Sequence, residues 1–187
     1  MFFVRPASSK KCTKPLLSWV STRHIPHCIC SGGQTGADRG ALDWATQHGV
    51  KHGGYCPRGR LAEDGIIPPQ YQLIETHSSR YPRRTEANVK ASDATLIFIE
   101  SKMGRGSCLT QKLCIKHNKP HLVVSDSTPI QTVREFLNTY KPRVLNVAGC
   151  RASAAPTIHA RVKQVLSAVF ENQPPTVGQH PQKEQNT

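Results

Sequence analysis

Short apolar runs alternate with segments of helical periodicity across the middle of the chain. Each run is bounded by Gly, Pro or polar residues and has the length of a β-strand. The run ATLIFIE is almost unbroken, which is typical of a strand buried on both faces. Five strands are predicted in all. They lie at 27–31, near 53–56, and at 94–100, 121–125 and 143–147.

The segments between these runs favour helices. Ile130, Val133, Leu137 and Tyr140 recur at helical spacing, and the apolar positions of 158–170 mark an amphipathic closing helix. Further helices are predicted from the first Gly-rich loop to about His48, and at 82–91 and 107–117. Alternating strands and helices with short connections predict an α/β, three-layer Rossmann-like fold. Its mostly parallel sheet has about five strands covered by helices.

Ligands of such folds bind at the carboxyl ends of the strands, where the strand order reverses. The prediction therefore brings four loops together as one candidate site. Basic residues are frequent in and beside these loops, namely Arg39, Arg58, Arg60, Lys102, Arg105 and Arg151. The loops are 32–38, 57–65, 101–107 and 148–155.

The first loop, SGGQTGADRG, has the features of a phosphate-binding turn. Gly32, Gly33 and Gly36 allow close backbone approach, and the amides that start the next helix lie at the positive end of its dipole. Neither a Walker A loop nor GxGxxG is present, so ATP hydrolysis and dinucleotide binding do not follow. Thr35 and Asp38 match a capping box, in which Thr35 caps the helix and Asp38 reaches back.

The third loop repeats this chemistry in Met103–Ser107. Gly104 and Gly106 free the backbone, and Arg105 offers a guanidinium fork for phosphate or molybdate-like oxyanions. Ser107 is predicted to cap the following helix and to donate to a ligand. A plain strand-to-helix turn is the alternative interpretation.

Composition and charge narrow the possible partners. The chain has 187 residues, of which 37% are hydrophobic, and no apolar run approaches the roughly 18 to 20 residues that cross a bilayer. The formal net charge is +13, which suits an anionic partner without naming one. We expect a basic extension at 1–24, one Rossmann-like domain at 25–170 and a disordered tail at 171–187. The extension has the composition of either an organelle transit peptide or an unstructured segment.

Seven cysteines without a CxxC pair argue against a disulfide framework and for a reduced, intracellular protein. Cys56, Cys108 and Cys150 fall beside the predicted site, where a thiolate could reach a metal. Buried packing is the simpler role for each. No residue is therefore assigned as a metal ligand.

Four blocks carry a family resemblance: SGGQTGADRGALDWA, HGGYCPRGRLAEDG, RTEANVKASDATLIF and VLNVAGCRASAAP. From about Ile25 to Phe170 the chain resembles the molybdenum carrier family, the molybdenum cofactor carrier proteins of the Rossmann-like SLOG superfamily. The resemblance implies a cytoplasmic, often oligomeric protein that holds the molybdenum cofactor and protects or delivers it. Its partners would be this small phosphorylated pterin and, for delivery, molybdoenzymes or cofactor-biosynthesis proteins. The implied binding positions are Gly32, Gly33, Gln34, Thr35, Gly36, Arg58, Gly59, Arg60, Gly104, Gly106 and Ser107.

The residues agree with such a ligand. Helix-end amides and arginines, Arg105 among them, suit a phosphate and an anionic oxo-metal group. Gln34, Asn88 and Asp93 have side chains that could read the pterin edge. Asn88 and Asp93 fit purely structural roles equally well, Asn88 by bonding to a neighbouring backbone group and Asp93 as a turn residue.

Two alternatives stay open. Related phosphoribohydrolases of the superfamily carry GGxGTxxE, but aligned on Gly106 this chain has Thr110 where the catalytic Glu stands. Glu63 and Asp64 could substitute, although adjacent residues project in different directions. Nucleic-acid binding would use Arg80, Arg83 and Arg84. Since aromatic content is 6% and no known RNA- or DNA-binding pattern occurs, a solvated charged face is the favoured explanation.

Overall fold

The computed structural model describes residues 24–170. The predicted basic extension, apart from His24, and the predicted C-terminal tail lie outside the described residues. No helix between residues 24 and 170 is long and apolar enough to cross a membrane. In chain order the elements are β1 (Cys28–Cys30), α1 (Ala37–Gln47), β2 (Lys51–Gly53), β3 (Tyr55–Cys56), β4 (Leu61–Ala62), β5 (Gly65–Ile66), β6 (Ile74–Glu75), α2 (Tyr81–Ala91), β7 (Ala94–Phe98), α3 (Arg105–Lys116), β8 (His121–Val124), α4 (Ile130–Tyr140), β9 (Val144–Gly149) and α5 (Ile158–Phe170).

Five parallel strands form the central sheet, in the order β2-β1-β9-β7-β8. The predicted fold class is confirmed. The last strand in sequence, β9, lies in the middle, so that Leu145 pairs with Ile29 on one side and with Ala94 on the other. All five residues of β7 are buried, as its unbroken apolar run predicted. From β1 the chain continues to β2 at one edge of the sheet, and from β7 it continues to β8 at the other edge. The strand order therefore reverses at β9, which lies between β1 and β7.

Helices cover both faces of the sheet. On one face α5 packs against α1 and α4, and Trp44 donates its indole N–H to Ser167 at 3.0 Å while its ring packs on Phe170. On the other face α2 packs against α3 around Val89, Leu113 and Cys114. The result is a three-layer arrangement with the larger core on the α1, α4 and α5 side.

The prediction of one strand at 53–56 is wrong in its extent. The chain turns out of the central sheet at Gly54, where φ is 131° and an added Cβ would lie 2.1 Å from the carbonyl oxygen of Ser31. Only glycine fits this close approach. Consequently β2 pairs with β1, whereas β3 pairs with β6 in a separate two-stranded sheet. The antiparallel β4 and β5 form a small hairpin that the sequence pattern did not reveal.

Glu86 links the two helices of the smaller face. Its carboxylate accepts hydrogen bonds from Lys116 and His117 at 2.9 Å each. These bonds lower the pKa of Glu86 from its usual 4.5 to about 2, and the bond from Lys116 has the larger effect. The bridge joins α2 to the last turn of α3 and its C-cap.

Replacing Glu86 by Gln should make the free energy of unfolding depend less on pH in the acid range. Because folding lowers the pKa of Glu86, the stability that its charge provides is complete above about pH 4.5 and disappears as the pH falls toward 2. Wild type should therefore lose more free energy of unfolding over this interval than Glu86→Gln, as measured by urea titration at each pH. Glu135→Gln is the matched control, because the Glu135 carboxylate accepts from the neutral Gln131 amide. Equal slopes for wild type and Glu86→Gln would contradict the prediction.

Candidate functional site

A cavity of about 50 Å³ lies at the carboxyl edge of the sheet, beside the end of β9. This is the position at which the strand order reverses, as expected for a ligand site of this architecture. Residues of α1, α2, α3 and β9 meet there. The lining residues are Asp38, Arg84, Thr85, Asn88, Gly106, Thr110, Asn146, Ala148 and Gly149.

A buried ion pair forms one wall of the cavity. The Arg84 Nη1 lies 2.8 Å from the Asp38 Oδ2, and the two side chains are 13% and 4% exposed. Gly32 makes the pair possible, since a Cβ there would lie 1.6 Å from the Arg84 Nη1. The buried Nε of Arg84 has no hydrogen-bond partner among the described residues. An unpaired buried N–H of this kind is costly, and a ligand acceptor would relieve the cost.

Several amides at the start of α1, which was predicted to bind phosphate, are satisfied by the protein itself. The amide of Gln34 donates to the Asp38 Oδ2 at 3.3 Å, that of Thr35 to the Gln34 Oε1 at 3.0 Å, and that of Ala37 to the Cys150 carbonyl at 3.0 Å. The N-cap is Gly36, with φ at 78° and no side-chain cap. The predicted capping by Thr35 is therefore wrong, although Asp38 does reach back along the chain.

The start of α3 is open by contrast. Gly104 is its N-cap, no side chain caps it, and the amides of Arg105, Gly106 and Ser107 donate to no acceptor among the described residues. Ser107 is buried inside the first turn, which corrects its predicted capping role. Gly104 and Gly106 have open space where a side chain would be. Because Gly106 also lines the cavity, this helix end is the more accessible of the two predicted anion sites.

Arg60 organises the second loop from within. Its backbone is left-handed, at φ 52°, and its guanidinium donates to four backbone carbonyls between 2.9 and 3.3 Å. Gly59 donates its amide to the Glu75 Oε2 at 2.6 Å, whereas Arg58 is exposed. The loop conformation thus depends on Arg60. The four acceptors belong to Ile67, Pro68, Tyr71 and Leu73.

The predicted pterin-reading side chains fall in different places. Asn88 lines the cavity but also binds the backbone of Tyr55, accepting from its N–H at 2.7 Å and donating to its carbonyl at 2.9 Å. Gln34 uses its Oε1 to accept from the amides of Thr35 and Glu63. Asp93 precedes β7, at the opposite edge of the sheet, and accepts from the Val144 amide at 2.9 Å. Asp93 therefore has the turn role that was its alternative.

Glu63 joins three of the predicted loops. Its carboxylate accepts from the Thr35 hydroxyl, from the Ser153 amide at 3.1 Å and from the Ser153 hydroxyl at 2.5 Å, and it lies 3.5 Å from the Arg151 Nε. Partial burial of the carboxylate raises its pKa. The hydrogen bonds from Ser153 and Thr35 and the charge of Arg151 lower it by more, so the pKa of Glu63 lies below its usual value. The neighbouring Asp64 binds Arg39 through two bonds, at 2.5 and 2.8 Å.

The cysteines form no metal centre in the part of the chain that the structure describes, where no cluster of three or more potential ligands occurs. Cys56 is buried, and burial raises the pKa of its thiol in spite of Arg60 nearby. Cys30 donates to the Asn88 Oδ1 at 3.3 Å, and burial raises the pKa of its thiol to about 12. Cys108 and Cys150 are partly buried.

Sequence reasoning missed three polar residues of the cavity, Arg84, Thr85 and Asn146. The interpretation of Arg84 as part of a solvated face is wrong, because its side chain is 13% exposed. One signal was available: Arg84 lies four residues before Asn88 on the same helix, so the two share a face. Asn146 gave a signal of its own, since it is a polar residue in an otherwise apolar strand. Its side chain donates to the Thr95 hydroxyl in the core.

Comparison with known proteins identifies the family. The sequence model of the Circularly permutated YpsA SLOG family matches residues 29–170. The chain belongs to this family. The SLOG protein is also 40% identical to a putative molybdenum carrier protein from Syntrophus aciditrophicus, whose crystal structure it matches with a TM-score of 0.75. That match covers 78% of this chain and 95% of the other. None of the curated proteins matches the chain.

Replacing Arg60 by Lys should destabilise the second loop of the SLOG protein. An ammonium group cannot span four carbonyls as the guanidinium fork does, so we expect a loss of about 1–3 kcal/mol in the free energy of unfolding. Faster amide exchange between residues 67 and 73 should accompany it. Arg58→Lys is the control and should change stability by no more than about 0.5 kcal/mol. Unchanged exchange in Arg60→Lys would refute the assigned role.

Proposed function

We propose that the SLOG protein binds the molybdenum cofactor in the cytoplasm and stores or carries it, protecting it for delivery. The observation that supports this most directly is the buried Arg84 N–H without an acceptor, beside a cavity that also reaches the open start of α3. A guanidinium and free helix-end amides are donors that bind phosphate and other oxyanions. The similarity to a protein named as a molybdenum carrier supports the choice among anionic ligands.

The cavity fits part of this ligand. In a comparable measure a water molecule needs roughly 10–15 Å³, so about 50 Å³ accommodates a group the size of one phosphate. The pterin does not fit inside. In our proposal the charged end enters the cavity and the rest of the ligand extends over the loops at the sheet edge.

Apart from Gln34 and Thr35, each predicted binding residue has a place in this proposal. Arg84 and the amides of Gly104, Arg105, Gly106 and Ser107 would hold the anionic group. Asn88 would contribute from the cavity wall and Arg58 from the exposed loop surface. The remaining glycines and Arg60 would shape the loops. The molybdenum cofactor supplies its own metal and dithiolene, and the chain contributes binding and shielding.

The alternative is a phosphoribohydrolase-like enzyme. At the position where that enzyme needs a carboxylate, Thr110 lines the cavity and donates its hydroxyl to the Gly106 carbonyl at 3.0 Å. Glu63 and Asp64 are both bound to loop residues. Asp38 lines the cavity, and it is paired with Arg84. These contacts favour binding over catalysis.

Assembly and delivery extend the proposal. A homo-oligomer, which the family resemblance implies, is part of this proposal. Molybdoenzymes or cofactor-biosynthesis proteins would be the delivery partners.

Cofactor binding should depend on Arg84. Purified full-length protein mixed with molybdenum cofactor released from a molybdoenzyme should retain it through gel filtration and slow its oxidation. Asp38→Asn leaves Arg84 without its partner, so circular dichroism must first show that this variant is folded. It should then bind at least as tightly as wild type, because Arg84 is free to pair with the ligand. Asp38→Asn/Arg84→Gln should bind about tenfold more weakly or worse, since a charge-assisted bond contributes about 1.5–3 kcal/mol. Removing both partners avoids leaving one buried charge unpaired.

Arg83→Gln, an exposed neighbour on α2, is the matched control and should bind as wild type does. Failure of wild type to retain or protect the cofactor would overturn the proposal. Release of free base from nucleoside monophosphates, abolished in Glu63→Ala or Asp64→Ala, would favour the enzyme instead.

A further inference from the structure

The Glu63 carboxylate is held by a set of donors that would serve a phosphate equally well. A hydroxyl from Thr35, an amide and a hydroxyl from Ser153 and the guanidinium of Arg151 converge on its two oxygens. These donors come from two loops that follow different strands of the sheet, β1 and β9. Uncharged donors with one cation around a small anion are the chemistry of oxyanion recognition.

Contacts between the two loops hold their backbones and the Thr35 hydroxyl without help from Glu63. The Ala152 amide donates to the Thr35 hydroxyl oxygen at 3.1 Å, and the Ala37 amide donates to the Cys150 carbonyl at 3.0 Å. Gly36 permits the approach, since a Cβ there would lie 2.5 Å from the Cys150 carbonyl oxygen. The backbone of both loops and the Thr35 hydroxyl are therefore in place before Glu63 enters from a third loop, and the side chains of Arg151 and Ser153 meet it there.

Glu63 is carried on a small projecting element. It lies with Asp64 in the two-residue turn between β4 and β5, whose apolar residues Leu61 and Ile66 are exposed. The Glu63 carboxylate and amide bind residues of the first and fourth loops. Asp64 binds Arg39, at the start of α1. Ala62 anchors the base of the hairpin by packing against the buried cluster that includes Ile67. Only the polar turn at 63–64 lacks a buried apolar anchor, so it can leave its position at a low energetic cost.

We propose that Thr35, Arg151 and Ser153 form a second oxyanion-binding site, which Glu63 occupies as an internal plug. A phosphate monoester or a molybdate-like oxyanion takes the site by displacing the carboxylate, and the turn at 63–64 then moves away from the first and fourth loops. This site deepens the proposed function, on which it rests for its natural ligand. It would give an anionic ligand a second point of attachment outside the Arg84 cavity.

The test is a titration of full-length protein with sodium phosphate and, separately, sodium molybdate at constant ionic strength in a chloride buffer. Glu63→Ala should bind at least one of the two about tenfold more tightly than wild type, a change of about 1.4 kcal/mol. Glu63→Gln should fall between them, because a neutral amide competes less well than a carboxylate. Which anion gains more distinguishes phosphate from oxo-metal recognition.

The matched control is Asp64→Asn. It removes one negative charge from the same turn and loosens the same hairpin, but it leaves Glu63 in place, so its oxyanion affinity should stay within about threefold of wild type. Adding Ser153→Ala or Thr35→Val to Glu63→Ala should abolish the gain. In Glu63→Ala, added oxyanion should also shift the backbone amide resonance of Ser153, and circular dichroism checks that each variant is folded.

Equal affinities for wild type, Glu63→Ala and Glu63→Gln, with an unmoved Ser153 resonance, would overturn this inference. So would an equal gain in Asp64→Asn, which would mark a general charge effect. The proposed function fails separately: a gain in oxyanion affinity without cofactor retention would support the plugged site and reject the carrier. Cofactor retention without a gain in oxyanion affinity would support the carrier and reject the plugged site.

Discussion

The buried ion pair between Asp38 and Arg84 is the constraint on which the site depends. It joins α1 to α2 across the end of β1, so helices from opposite faces of the sheet meet over Gly32. Burying two charges is costly, and removing one of them leaves the other uncompensated. Asp38 also receives the Gln34 amide. The pair therefore fixes the first loop, fills the helix end that sequence reasoning assigned to phosphate, and leaves Arg84 with one unsatisfied N–H.

Acidic side chains at the sheet edge determine how the basic surplus is used. Asp38, Glu63 and Asp64 contact Arg84, Arg151 and Arg39 respectively. Each of these arginines is thereby positioned, and part of its charge is neutralised, before any ligand arrives. Part of the basic surplus of the chain is thus presented as a few oriented donors at one edge of the sheet. Preorganised donors cost less to use than flexible ones, because their entropy is already lost on folding.

The fold could be predicted from the sequence because its signals are local and strong. The apolar run of β7 and the spacing of α4 and α5 require neither tertiary contacts nor ligands to be recognised. The turn at Gly54, where the chain leaves the central sheet, could not be predicted. It depends on the close approach of the Ser31 carbonyl, which is distant in sequence. In the site, the glycines of the first loop were visible. Its capping was not, because the acceptor for Ala37 is supplied by Cys150, more than a hundred residues away.

The raised pKa of the buried cysteine thiols has a chemical consequence for the proposed cargo. Thiolates, not thiols, bind soft metals and attack disulfides. At neutral pH Cys30, with a pKa of about 12, is almost wholly protonated, and burial acts in the same direction on Cys56. The interior of the protein is therefore a poor competitor for a metal held by the sulfurs of a pterin. A ligand can be held beside these cysteines without exchanging its sulfur ligands for theirs.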